Sequence, residues 1–121
     1  MTINHLNLVL SDVENGVSFF ETYFGFSCVD IKGDHQIAVL KNAAGCTLVL
    51  MAQKDAPVVY PKSFHVGWML DSVAAVDQLH LQLTAGGVPG VQSPRKIRDS
   101  YGFYFYFDAL FIEIGYYLDA A

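Results

Sequence analysis

Residues 3–10 read Ile-Asn-His-Leu-Asn-Leu-Val-Leu, and their near-alternation of apolar and polar positions predicts a strand that buries one face. The period then lengthens. Val13, Val17, Phe20 and Phe24 recur at helical spacing, and Phe19 and Tyr23 widen the stripe. Ser11 and Glu14 have the spacing of a capping box at the start of this helix, and Gly25 closes it. Three strand-like runs follow, at Ser27–Ile31, Gln36–Leu40 and Cys46–Met51. Gly33-Asp34 and the stretch from Asn42 to Gly45 supply the turns between them.

The order then repeats. Residues 63–70, Ser-Phe-His-Val-Gly-Trp-Met-Leu, match residues 3–10 with His65 sixty positions after His5 and leucine at the matching end. Asp71 or Ser72 can cap a second helix, whose apolar stripe is Val73, Val76, Leu79 and Leu83 and whose end is marked by Gly86 and Gly87. Val88–Val91 reads as a weak strand, Tyr101–Phe107 and Phe111–Leu118 as strong ones. Each half is therefore β-α-β-β-β, giving an α+β fold of two βαβββ modules. Module 1 spans residues 3–55 and module 2 spans 62–118 within a single domain, 1–121. The stretch Ala56 to Lys62, with Pro57 and Pro61, is the linker, because proline cannot continue a helix or a central strand. A helix covers only one face of each small sheet, so the other face needs a partner, and a second module is the obvious one.

Composition narrows the function classes. Nine Phe and seven Tyr suit a sheet-rich core or an aromatic cavity and exclude disorder. A net charge of −5 argues against a nucleic-acid or anionic-membrane surface. No apolar run has the length of a membrane span, and the first residues form a strand rather than a signal peptide, so a cytoplasmic location is expected. Cys28 and Cys46 form no Cys-x-x-Cys pair and read as buried free thiols. His35 in a turn and His80 within the second helix read as surface or packing residues.

Candidate chemistry lies at the repeated histidines and in the last strand. Alternation places His5 with Asn7 and Val9, and His65 with Gly67 and Met69. Glu113 is flanked by Ile112 and Ile114, so it shares the opposite face with Phe111, Gly115 and Tyr117, a set that suits a cavity more than open surface. Two imidazoles and one carboxylate form a ligand set for Fe²⁺, Mn²⁺, Zn²⁺ or Ni²⁺ and leave coordination positions for substrate. The segment Ser93 to Ser100, with Arg95, Lys96 and Arg98, reads as a basic loop, solvated or able to steer an anion to the metal. Tyr101–Phe107 is aromatic on both faces; one face is core and the other is free to stack on a planar ligand.

The opening strand, the Phe/Tyr-rich helix ending Tyr-Phe-Gly-Phe, and the segments Ser-Phe-His-Val-Gly-Trp-Met-Leu and Phe-Ile-Glu-Ile together resemble the vicinal oxygen chelate superfamily, which covers glyoxalases, bleomycin resistance proteins and extradiol dioxygenases. The resemblance runs from Ile3 to Leu118. It implies the glyoxalase/bleomycin resistance/dihydroxybiphenyl dioxygenase-like fold, a curved mixed sheet, and a divalent metal at His5, His65 and Glu113. Val49 stands where some members carry a further acidic ligand, which disfavours a true glyoxalase I. The turn Asp108-Ala109-Leu110-Phe111 departs from the family's Asp-Pro-x-Gly. Fosfomycin-modifying members have Thr where Asn7 stands and a basic residue beyond the acidic ligand, whereas none follows Arg98 here. Extradiol dioxygenases use a Tyr on the strand before that ligand, a place Tyr104 or Tyr106 can fill.

Two functions are therefore expected in competition. One is a small metalloenzyme of lyase, isomerase, thiol transferase or dioxygenase type, chelating a small oxygenated substrate. The other is a metal-independent protein that holds a drug or planar metabolite in an aromatic cleft, and a purely assembling accessory domain is a weaker third. Asn7, Arg98, Tyr104, Phe111 and Tyr117 are the expected substrate contacts. A homodimer is expected in each case, because short relatives build the cavity from one module of each partner.

Overall fold

The computed structural model describes residues 1–118 in two compact units, Met1–Val59 and the part that begins at Tyr60. The first unit contains β1 (His5–Leu10), α1 (Val13–Tyr23), β2 (Ser27–Lys32), β3 (Ile37–Lys41) and β4 (Thr47–Ala52). Its sheet has the order β1-β4-β3-β2, with β1 parallel to β4 and the other pairs antiparallel. The alternation that predicted the strands also sorts their side chains. Leu8, Leu10, Ala38, Leu40, Leu48 and Leu50 are buried with Phe19 and Phe20 of α1, each large apolar side chain contributing about 1.5–3 kcal/mol. His5, Asn7, Thr47 and Val49 alternate with them and belong to the other face.

The second unit repeats the plan: β5 (Val66–Met69), α2 (Val73–Ala85), β6 (Arg95–Ile97), β7 (Ser100–Phe107) and β8 (Leu110–Tyr117). The order is β5-β8-β7-β6, and β5 runs parallel to β8 as β1 does to β4. Phe103, Phe105, Leu110, Ile112 and Ile114 are buried with Val76 and Leu83 of α2. Register makes the repeat concrete: Asn7 lies opposite Val49, and Gly67 lies opposite Glu113. Val49 is thus the first-module counterpart of Glu113.

Several local details differ from the sequence expectation. Asp12, not Ser11, caps α1, its carboxylate accepting the Asn15 N–H at 3.0 Å. Ser72 caps α2 by accepting from the Ala75 N–H at 3.0 Å. Val73 is exposed and Leu79 only half-buried, so the core stripe of α2 is narrower than its sequence suggests. Residues 88–94 form no strand; Pro89 lacks a donor and Gly90 has φ +69°. The edge strand comes later, at Arg95–Ile97, inside the segment expected to be a loop. Cys28 and Cys46 are free and half-buried rather than fully buried. His80 packs edge-on against Phe103, with ring centroids 5.3 Å apart.

Candidate functional site

In the second module β7 and β8 pair continuously, which sets side chains of one sheet face in rows: Tyr104 opposite Glu113, Gly102 opposite Gly115, and Ser100 opposite Tyr117. The paired glycines leave the middle row without side chains. A side chain at Gly102 would run into the carbonyl oxygen of Ile114, and one at Gly115 would come within 2.9 Å of the Met69 methyl carbon. On this face lies a cleft of about 470 Å³ lined by Ile97, Arg98, Asp99, Ser100, Tyr104, Glu113 and Tyr117.

His65 immediately precedes β5 and reaches Glu113, with Nε2 3.3 Å from Oε1. Its other ring nitrogen, Nδ1, lies 3.1 Å from the Ser63 carbonyl oxygen. A carbonyl only accepts, so Nδ1 carries a hydrogen. In the neutral ring Nε2 then presents a lone pair to a carboxylate oxygen, an arrangement that needs a proton or a cation between the two atoms. Glu113 is mostly covered, its side chain 19% exposed, while His65 remains accessible at 43%. Gly67 stands beside the carboxylate; a Cβ there would lie 3.6 Å from Oε1.

Aromatic rings back this pair. The His65 ring meets Tyr104 and Phe111 edge-on, at 6.0 and 6.3 Å between centroids. Tyr104 and Phe111 stack at 5.1 Å with 13° between planes, and Tyr106 closes on Phe111 from the other side at 4.6 Å. Burial raises the Tyr104 phenol above its usual range, and the Glu113 charge and hydrogen bond raise it further, with Arg95 pulling the other way. Tyr104 therefore keeps its proton at neutral pH, and its hydroxyl donates a hydrogen bond to Glu113.

The structure thus brings together His65, Glu113 and Tyr104, and sets Tyr104, Glu113, Arg98 and Tyr117 around one cleft. Phe111 lies behind Tyr104, outside the cleft lining. His5 and Asn7 belong to the first module, on β1; Asn7 donates to the thioether of Met51, Nδ2 to Sδ 3.1 Å. Among the described residues no group of three or more His, Cys, Asp or Glu side chains is gathered as a metal site. Sequence reasoning did not single out Ser63, Asp99 or Ser100. The Ser63 role rests on a main-chain oxygen, which no side-chain pattern reports.

The glyoxalase/bleomycin resistance protein/dioxygenase superfamily model matches residues 2–111. The chain belongs to this superfamily. A possible glyoxalase from Bacillus cereus shares 36% identity and a TM-score of 0.81, over 94% of this chain and 97% of that one. Below the range where more than the fold can be inferred are two further superfamily structures. Lactoylglutathione lyase from Agrobacterium tumefaciens has 20% identity, TM-score 0.74, and coverage of 95% and 92%. The fosfomycin resistance protein FosX from Listeria monocytogenes, a mutant complexed with Mn(II) and 1S,2S-dihydroxypropylphosphonic acid, has 19% identity, TM-score 0.75, and coverage of 98% and 93%. No functionally curated protein matches the chain. Among the described residues no helix is long and apolar enough to cross a membrane.

Proposed function

We propose that this superfamily member is a small metal-dependent enzyme in which His5, His65 and Glu113 hold one divalent ion, Fe²⁺, Mn²⁺, Zn²⁺ or Ni²⁺. The observation that carries the reading is the His65–Glu113 pair: Nδ1 is fixed by the Ser63 carbonyl, and Nε2 faces Oε1 at 3.3 Å. Such second-contact anchoring of an imidazole is what a metal-binding histidine requires. His5, the repeat counterpart of His65, supplies the third donor from a first module. Homodimer formation, with that module drawn from the partner copy, gives two equivalent sites by two-fold symmetry.

An ion held by these residues would supply Lewis acidity toward the oxygens of a substrate. The protein does the rest. The Tyr104 hydroxyl holds the Glu113 carboxylate in place through its hydrogen bond. The stacked Tyr104 and Phe111 rings keep that end of the cleft dry and flat. Asn7, Arg98 and Tyr117 contact the remainder of the substrate. Lyase, isomerase, thiol-transfer and oxygen-insertion reactions all fit this chemistry. Lactoylglutathione lyase activity is disfavoured, since Val49 occupies the position of an additional acidic ligand. The Mn(II) complex of FosX supports a metal in this fold at large.

The aromatic wall and Val49 favour a second reading, a metal-independent protein that sequesters a planar ligand in the same cleft. Elemental analysis of tag-free protein beside His65→Ala separates the two. The enzyme reading expects near-stoichiometric metal in the wild type and little in the variant. A wild type that stays empty when offered each of the four ions would leave the sequestering reading.

A further inference from the structure

We infer that the cleft of the second module takes an elongated, planar monoanion whose carboxylate is held by Arg98. The position of the opposite, oxygen-bearing end rests on the metal reading above; the anion end does not.

Among the described residues three non-glycine positions have positive φ: His35 at 56°, Arg98 at 53° and Asp108 at 55°. Histidine and aspartate are types that tolerate this region, whereas arginine is not enriched there. Arg98 occupies the two-residue turn between β6 and β7, where Ile97 pairs with Ser100. Asparagine or glycine would fill that place with less strain. The turn is nonetheless firmly tied: the Ser100 hydroxyl donates to the Ile97 carbonyl at 3.0 Å, and the Leu118 N–H donates to the Asp99 carbonyl at 2.8 Å. Among the described residues Arg98 makes no ion pair. An arginine on a strained, tied-down turn, lining a cleft and without an ion pair among the described residues, is the pattern of a side chain kept for a ligand.

The cleft sets the shape of that ligand. Arg98 stands at the end marked by Ser100 and Tyr117, while Glu113 and Tyr104 mark the other. Glu113 and Tyr117 are four residues apart on one strand, roughly 13 Å at the usual rise. One cleft is lined by residues of both ends, Tyr104 and Glu113 at one and Arg98 and Tyr117 at the other. Tyr104, backed by Phe111, gives a flat wall. Asp99 lines the same end and offsets part of the positive charge, which favours one anionic group over several. A carboxylate matches the guanidinium fork in a bidentate pair.

Caffeate has this shape, with neighbouring oxygens at one end of a conjugated body and a carboxylate at the other. Calorimetric titration of the full chain with caffeate and with its methyl ester, with and without Mn²⁺, tests the inference. The wild type is expected to prefer the acid by about tenfold or more at low salt. Arg98→Asn, which suits the turn, is expected to reduce that preference to within about twofold while leaving affinity for Mn²⁺ unchanged. Equal affinity of the wild type for acid and ester, a preference that survives in Arg98→Asn, or no binding of either compound would overturn it. An acid preference without any Mn²⁺ binding would sink the metal reading alone; Mn²⁺ binding without an acid preference would sink this inference alone.

Discussion

Tyr101 and Tyr104 stand three residues apart on β7 and serve opposite faces of its sheet. Tyr104 faces the cleft. Tyr101 faces the helix, where its hydroxyl donates to Asp77 Oδ1 at 2.5 Å and ties α2 to the sheet. That hydrogen bond is the main cause of the raised Tyr101 pKa, with burial and the Asp77 charge adding to it. A raised folded-state pKa means that the contribution is complete below the unfolded value, 10.0, and is lost as pH rises through the higher folded value. Tyr101→Phe is accordingly expected to cost about 1 kcal/mol near neutral pH. The gap to the wild type should shrink and then reverse in strong alkali, where a tyrosinate would face Asp77. Urea midpoints of both proteins across the alkaline range check this; a gap independent of pH would show that the bond contributes nothing specific.

At the scale of elements, what was legible in the sequence depended on which force made each element. Strands that bury alternate side chains, such as Leu8 and Leu10 in β1 or Phe103 and Phe105 in β7, announce themselves by period. The edge strand β6 does not, because Arg95, Lys96 and Ile97 are ordered by main-chain pairing to β7 rather than by burial. Val88 and Val91 misled for the converse reason: they are apolar, but Pro89 and Gly90 between them turn the chain. His65 stood out by repeat position, Glu113 by strand face, and Tyr104 or Tyr106 only through the family resemblance, whereas the cleft depends on cross-strand register that spacing does not give. The glycines test that register. Gly102→Ala should destabilise the second module by about 3 kcal/mol or more, since the added carbon meets a carbonyl oxygen that cannot move without breaking the ladder. Gly67→Ala should be tolerated to within about 0.5 kcal/mol, because its Cβ would meet Glu113 only at ordinary contact distances. Chemical denaturation of the two variants compares them directly, and equal losses would mean that the β7–β8 register is wrong.

At the scale of the whole molecule, the two modules share one architecture and differ in the residues beside their leading histidines. Each opens with a parallel first strand whose leading histidine occupies the same slot, but only the second carries an acid opposite its glycine, where the first has Asn7 beside Val49. The second module brings His65 and Glu113 together beside a cleft, and in the proposed function His5 of a first module is the third donor. That third donor is what the proposed function adds to the observed His65–Glu113 pair, and His5, which lies in the first unit, tests it. Mn²⁺ titration of His5→Ala, followed by the electron paramagnetic resonance of free ion, is the most direct measurement. The account predicts a loss of affinity of about a hundredfold relative to the wild type, with the fold and the caffeate preference retained. Affinity unchanged in His5→Ala would contradict it, and would mean that the first module takes no part in holding the metal.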